Sequence, residues 1–195
     1  MIRKADVQGL DVPGLTESIK ATLFADDTTV YLAESDDFGV IQRILDKWCS
    51  ASKAKFNIAK TEILPIGTKE YRDATVREYR QTGKHGGLPE RARIAADGEA
   101  VRILGAYVGN KVDQAGLWTL KIDKVEKVLD RWAKHHATMI GKKHAIQLVV
   151  GGMTQFFADV QGMPPQAITR LNKMISGYLW EGKAVAPIKA DELYK

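Results

Sequence analysis

The chain has 195 residues and a formal net charge of +5, and 45% of its residues are hydrophobic; this excludes wholesale disorder and allows one sizeable core or two small ones. No apolar run approaches the roughly 20 residues that span a bilayer, and the start Met1-Ile2-Arg3-Lys4 carries no signal-peptide core, so an intracellular protein, nuclear or cytoplasmic and not secreted, is expected. Cys49 is the single cysteine and the four histidines lack ligand spacing, which excludes an internal disulfide and a cysteine-built zinc module.

In chain order, Thr22 to Ala25 and Thr28 to Leu32 are β-prone runs flanking Asp26-Asp27, and read as a hairpin. Ser35, Asp36 and Asp37 are good helix caps, and Phe38, Ile41, Leu45 and Trp48 follow at helical spacing. Phe56 to Ile58 and Glu62 to Ile66 read as strands meeting at a turn, with Pro65 marking an edge. From Gly67 to Ala100 the chain is polar and broken by Gly83, Gly86, Gly87 and Pro89, so an insertion is expected with one short helix around Tyr71 to Tyr79. Val101 to Val108 reads as a strand closed by Gly109-Asn110.

Beyond Gly116 the period becomes helical. Trp118, Ile122, Val125, Leu129 and Trp132 form one stripe. Ile146, Val149, Val150, Met153, Phe156, Phe157 and Val160 mark a second helix, interrupted at Gly151-Gly152. Pro164-Pro165 opens a third, with Ile168, Leu171, Ile175 and Leu179 on its core face and Gly182 beyond its end. Strands followed by three helices give an α+β subdomain and then a helical bundle.

Charge follows the same division. Up to Gly116 there are 17 Lys/Arg against 17 Asp/Glu, and from Leu117 onward 12 against 7. A basic C-terminal third points to a polyanion, nucleic acid first; a solubilising surface is the plainer reading. On the helix after Gly116, Lys121, Lys124, Lys127, Arg131 and Lys134 fall roughly opposite the apolar stripe, and Lys142 and Lys143 lie close by in sequence. That ridge suits duplex phosphates, or equally a solvated helix surface laced with i,i+3 and i,i+4 ion pairs.

Asp26-Asp27 breaks a local rule. Two-residue hairpin turns favour Asn-Gly, Asp-Gly or Gly-X because they need positive φ, and two adjacent acids repel. Such violations are expected where function is placed, and carboxylates are the ligands Mg²⁺ prefers. The other reading is a solvated acidic turn.

The wider context carries a resemblance. Phe24-Ala25-Asp26-Asp27 resembles the Tyr/Phe-X-Asp-Asp motif of reverse transcriptases, in the form found in non-LTR (LINE-type) retrotransposons. Three further blocks follow in that family's order: Asn57 with Lys60-Thr61, then Leu104-Gly105 within Arg102 to Asn110, then Leu171 to Gly182 with its Tyr178-Leu179-Trp180 cluster. The resemblance covers nearly all of the chain and is least clear from Thr68 to Ala100. It implies a partial antiparallel palm sheet with the Asp-Asp hairpin (1–66), a polar insertion or loop (67–100), a primer-grip-like strand region (101–116) and a helical thumb (117–195).

By the same resemblance, the complete enzyme is an RNA-directed DNA polymerase, a nucleotidyltransferase with an RNA template, a DNA primer and deoxynucleoside triphosphates as partners. Two Mg²⁺ ions about 4 Å apart would clamp the attacking and leaving oxygens. Asp26 matches the metal-ligating acid, Asp27 its less direct neighbour, and Lys60 the lysine near the incoming triphosphate. Phe24 and Ala25 would shape the hairpin beside the primer end, and Asn57 would pin the Lys60 turn through its side chain. Leu104, Gly105 and Tyr107 would lie along the primer. The family also needs fingers and another aspartate on an earlier palm strand. With Met1 just before the hairpin, neither is expected here, so the chain reads as a fragment, inactive alone. The alternative is a non-catalytic nucleic-acid-binding remnant or interaction module.

Overall fold

A computed structural model describes residues 2–85 and 88–182. Strands β1 (Ala21–Phe24), β2 (Asp27–Val30), β3 (Glu62–Ile63), β4 (Arg93–Ile94), β5 (Val101–Ile103) and β6 (Ala106–Val108) alternate with or precede helices α1 (Phe38–Ser52), α2 (Lys69–Thr82), α3 (Gln114–Ala133), α4 (Met139–Ile146), α5 (Gly152–Gln161) and α6 (Pro165–Leu179). The fold is α+β, with helix outweighing strand. Among the described residues no helix is long and apolar enough to cross a membrane. The chain divides into two compact units: Met1–Leu104 with Val108–Lys111, and Gly105–Tyr107 with Val112–Lys195.

In the first unit, β1 and β2 pair antiparallel with Phe24 opposite Asp27 as the last rung. The turn is therefore Ala25-Asp26, one residue earlier than the expected Asp26-Asp27, and Asp27 belongs to a strand. Ala25 supplies the left-handed residue, at φ 51°, although the usual turn chemistry would place Gly or Asn in that region.

A loop ahead of this hairpin is tied to the segment behind it. Leu10 and Ile19 form an isolated antiparallel bridge. Gly9, at φ 78°, faces the Ile19 carbonyl so closely that a Cβ would stand 2.6 Å from its oxygen; only glycine fits. The Asp36 carboxylate accepts the backbone N–H groups of Gln8 (2.7 Å), Gly9 (2.8 Å) and Ala33 (2.8 Å). Burial alone would raise its pKa, but those three bonds and the charge of Lys20 outweigh it and hold it below the usual value. Asp37, next to it, caps α1 through Gly39 N–H at 2.8 Å. Ile41, fully buried on α1, packs with Ala5 and Val7 as a small core bordered by Val30, Leu32 and Phe38.

Asp36 acts as a clamp, and its loss should show. Asp36→Ala is expected to lower stability at neutral pH by about 2 kcal/mol, since three N–H groups lose a charged acceptor. A carboxylate with a depressed folded pKa contributes fully above its unfolded value of 3.8 and progressively less as pH falls through the folded one. Urea unfolding of both proteins near neutrality and again in acid checks this: the gap should narrow in acid, and a gap independent of pH would remove the clamp.

Two expectations for the middle of the chain change. Phe56 to Ile58 is no strand. Ile58–Lys60 is a 3₁₀ turn instead, and Glu62–Ile63 pairs in parallel with Arg93–Ile94 across the polar segment. That segment is more than a loop. Thr68 caps α2 through Tyr71 N–H, and Gly83 closes it in the left-handed region. Arg72 on α2 grips Asp97 with two bonds of 2.8 Å, and Lys111 reaches the same carboxylate at 3.4 Å. The hydrogen bond from Arg72, opposed by burial and aided by its charge and by Lys111, takes Asp97 down to about 2. Periodicity in the sequence carries no sign of such long-range pairings.

Val101 to Val108, expected as one strand, folds into β5 and β6 around Leu104 (φ 49°) and Gly105 (φ 90°). Two successive left-handed residues make the turn whose twist suits a hairpin.

The second unit is a bundle of three rods. α4 and α5 are joined without a break by a π-helical stretch, Gln147–Gly151, so the expected interruption at Gly151-Gly152 is a change of winding rather than a stop. The core gathers Trp118, Ile122, Val125 and Leu129 of α3 with Val149, Val150, Phe157, Ala167 and Leu171. Pro164 caps α6 and Pro165 opens it. Four residues expected inside are exposed: Trp132 (40%), Phe156 (53%), Val160 (44%) and Ile168 (44%). Periodicity marks a face of a helix, not how far along it the neighbours extend.

Candidate nucleic-acid interface

The acid pair sits at the end of the β1–β2 hairpin, Asp26 in the turn and Asp27 on the first rung, both exposed. Leu23 and Phe24 beside them are also exposed, at 68% and 65%. Lys60 ends the 3₁₀ turn and is exposed. Asn57 holds that turn through its backbone carbonyl, which accepts Lys60 N–H at 3.0 Å and the Thr61 hydroxyl at 3.3 Å. Its side chain caps nothing, contrary to the expectation. Among the described residues no hydrogen bond or ion pair joins Asp26, Asp27 and Lys60, and no group of three or more Asp, Glu, His or Cys could hold a metal ion.

The Leu-Gly block is a turn. Leu104 is 47% exposed. A Cβ on Gly105 would meet the Phe156 ring at 3.1 Å, so this glycine serves both a left-handed backbone and a close approach. Tyr107 N–H donates to Gln161 Oε1 at 2.5 Å, and its ring meets Phe157 edge-on at 6.1 Å. Tyr107 is thus fastened into the second unit's packing.

The structure thins the basic set on the second unit. Lys142 is buried: its Nζ donates to the Leu179 carbonyl at 3.1 Å and to Glu181 at 2.8 Å, so it belongs to the C-terminal end of α6 and not to an exposed ridge. Helical carbonyls left over at that end need donors, and a lysine can reach them. Lys121 is half-buried with its ammonium 5.4 Å from the Phe157 ring centre, a cation–π contact. Lys124, Lys127, Arg131, Lys134 and Lys143 are exposed.

Asp123 and Glu126 of α3 meet Arg170 of α6, which bonds them at 2.6 and 3.0 Å, and among the described residues no ion pair engages Lys124, Lys127, Arg131 or Lys134. Arg170 went unnoticed in the sequence; the i,i+3 acid pair beside an apolar stripe was the signal that a cation would stand across from it. Those four cations are exposed and form no ion pair among the described residues.

No protein-family model matches this chain, and no curated protein matches it.

Proposed function

We propose that the chain is part of an RNA-directed DNA polymerase of the non-LTR retrotransposon kind, contributing the end of the palm and the thumb. The observation that carries the reading is the Asp26-Asp27 pair exposed at a hairpin end within an α+β unit, followed in the chain by a helical unit with an exposed basic flank. Asp26 and Asp27 would hold Mg²⁺, and Lys60, free in solvent, would meet the triphosphate of the incoming nucleotide. The Leu104-Gly105 turn and Tyr107 would line the primer. Lys124, Lys127, Arg131 and Lys134 would rest on duplex phosphates, anchoring without reading sequence.

Two exposed carboxylates suit Mg²⁺ in kind but fall short of a two-ion site in number. When bound, the ions neutralise charge on the transferring phosphoryl group. The chain alone is therefore expected not to extend a primer on an RNA template in Mg²⁺ or Mn²⁺. Joined to the fingers and earlier palm of a non-LTR reverse transcriptase, it should restore extension, and Asp26→Ala should abolish that. Extension by the isolated chain that Asp26→Ala removes would show a complete site here. Failure of the joined protein, correctly folded, to extend would sink the polymerase reading. The basic flank without a full metal site favours a second reading, a non-catalytic nucleic-acid-binding module, which predicts binding and no rescue.

A further inference from the structure

The first unit contains a cleft that the polymerase reading leaves unused. It is open to solvent, about 420 Å³, and three guanidinium side chains line it: Arg80 from α2, Arg93 from β4, and Arg91 just before β4. Two of them are partly neutralised. Arg80 holds both oxygens of Glu99 at 3.1 Å. Arg93 reaches Glu62 and lies 4.0 Å from Glu99. Arg91 has no acid within ion-pair distance among the described residues; its neighbour Glu90 is taken by Lys84 at 2.9 Å. Arg91 also stands in the left-handed region, at φ 65°, where a non-glycine residue is uncommon. Three cations against two acids leave the cleft one positive charge in excess, on the group that is exposed and unpaired.

Guanidinium forks match the oxygens of a phosphate in pairs. The floor beside them is tied by hydrogen bonds. Tyr79, 4% exposed, accepts Ala92 N–H at 3.0 Å and donates to the Pro89 carbonyl. Arg80 donates a further bond to the Ile94 carbonyl at 3.3 Å. A cleft held open by such bonds, with one uncommitted arginine at its rim, is preorganised for an anion.

We infer that this cleft is a phosphate-binding site in which Arg91 makes the principal contact, Arg80 turns toward the ligand from Glu99, and Arg93 adds its charge from beside Glu62. The site lies wholly in the first unit and does not depend on the polymerase reading.

The full chain is titrated at low ionic strength with inorganic phosphate and, separately, with a short single-stranded DNA, following the backbone amide resonances of Ala92, Arg93 and Ile94. Those resonances should shift saturably. Arg91→Gln should weaken binding by about tenfold, the scale of one charged hydrogen bond, and Arg91→Lys should weaken it less. Glu99→Gln, which frees Arg80 from its ion pair while keeping an acceptor for Ala96 N–H (3.1 Å), should tighten binding severalfold. Opposite signs from two substitutions in one cleft do not arise from loss of folding. Shifts from DNA at lower concentration than from phosphate assign the cleft to a nucleic-acid backbone; shifts from phosphate alone assign it to a small phosphorylated ligand. Resonances that do not move, or that move equally in Arg91→Gln, overturn the site.

Discussion

Trp118→Ala is expected to destabilise the second unit by about 4 kcal/mol, the upper part of the range for removing a buried large aromatic. Trp118 is 1% exposed. Its ring packs 4.9 Å from that of Phe157, and its Nε1–H donates to the Gly162 carbonyl at 2.8 Å. Alanine therefore removes the link between α3 and the end of α5 as well as the ring volume, and leaves a cavity beside Phe157. Trp132→Ala is the internal comparison. It is the same chemical change on the same helix, at a residue 40% exposed, and should cost within about 0.5 kcal/mol. Urea unfolding of the three proteins separates the two. Equal costs would mean that the core is not where α3 places it.

The second large effect concerns binding. Four exposed cations on one flank of α3, Lys124, Lys127, Arg131 and Lys134, should hold duplex nucleic acid without sequence preference. At about −0.9 per phosphate on B-DNA, four contacts give a log–log salt slope of about −3.6, so affinity should fall roughly a hundredfold from low to physiological salt. Substituting Gln for both Lys124 and Arg131 should flatten the slope by about two units and leave stability unchanged, because the packed stripe faces the other way. Lys142→Gln should do the reverse: it should leave the slope alone and destabilise the fold, since that side chain is bonded inside the bundle. A fluorescent duplex titrated across a salt series gives all three slopes. A slope that Lys142→Gln flattens and the double substitution does not would remove the nucleic-acid role from α3.

Much of the bundle could be read from residue spacing, because burial on a helix repeats every turn. Trp118, Ile122, Val125 and Leu129 needed nothing else. The acid hairpin was legible to within one residue; the ladder closes at Phe24 and Asp27 because Ala25 accepts a left-handed backbone that composition rules reserve for Gly or Asn. Contacts between distant polar residues were not legible. Asp36 looks like a helix cap and serves instead three backbone donors, two of them more than 25 residues away. Arg72 and Asp97 look like surface charges in a loop and grip each other. Lys142 sits in a basic stretch that suggests a ridge, yet its ammonium donates to the Leu179 carbonyl at the end of α6 and to Glu181. Side-chain charge says what a residue can bind, and only the fold says which partner arrives first. For Asp26, Asp27 and Lys60 the fold adds exposure and, among the described residues, no side-chain partner, so their proposed roles rest on the motif.

The π-helical stretch between α4 and α5 sets a rotational phase. Lys142 and Ala145 before it and Val149 within it are one buried trio, and Val150 within it with Thr154 and Phe157 after it are a second. In an uninterrupted α-helix, at about 100° per residue, these two trios would face directions about 110° apart. One extra residue in a π turn takes up about 100° of that. The stretch thus lets a single continuous rod present two differently phased sequences to the same core. Winding Gln147 to Gly151 as regular α-helix at full length would swing Phe157 about 100° away from Trp118, whereas deleting one residue there would regularise the hydrogen bonds and keep Phe157 in phase. Along this rod the winding of five residues, and not the side chain at exposed Gln147 or Leu148, sets which face meets the core.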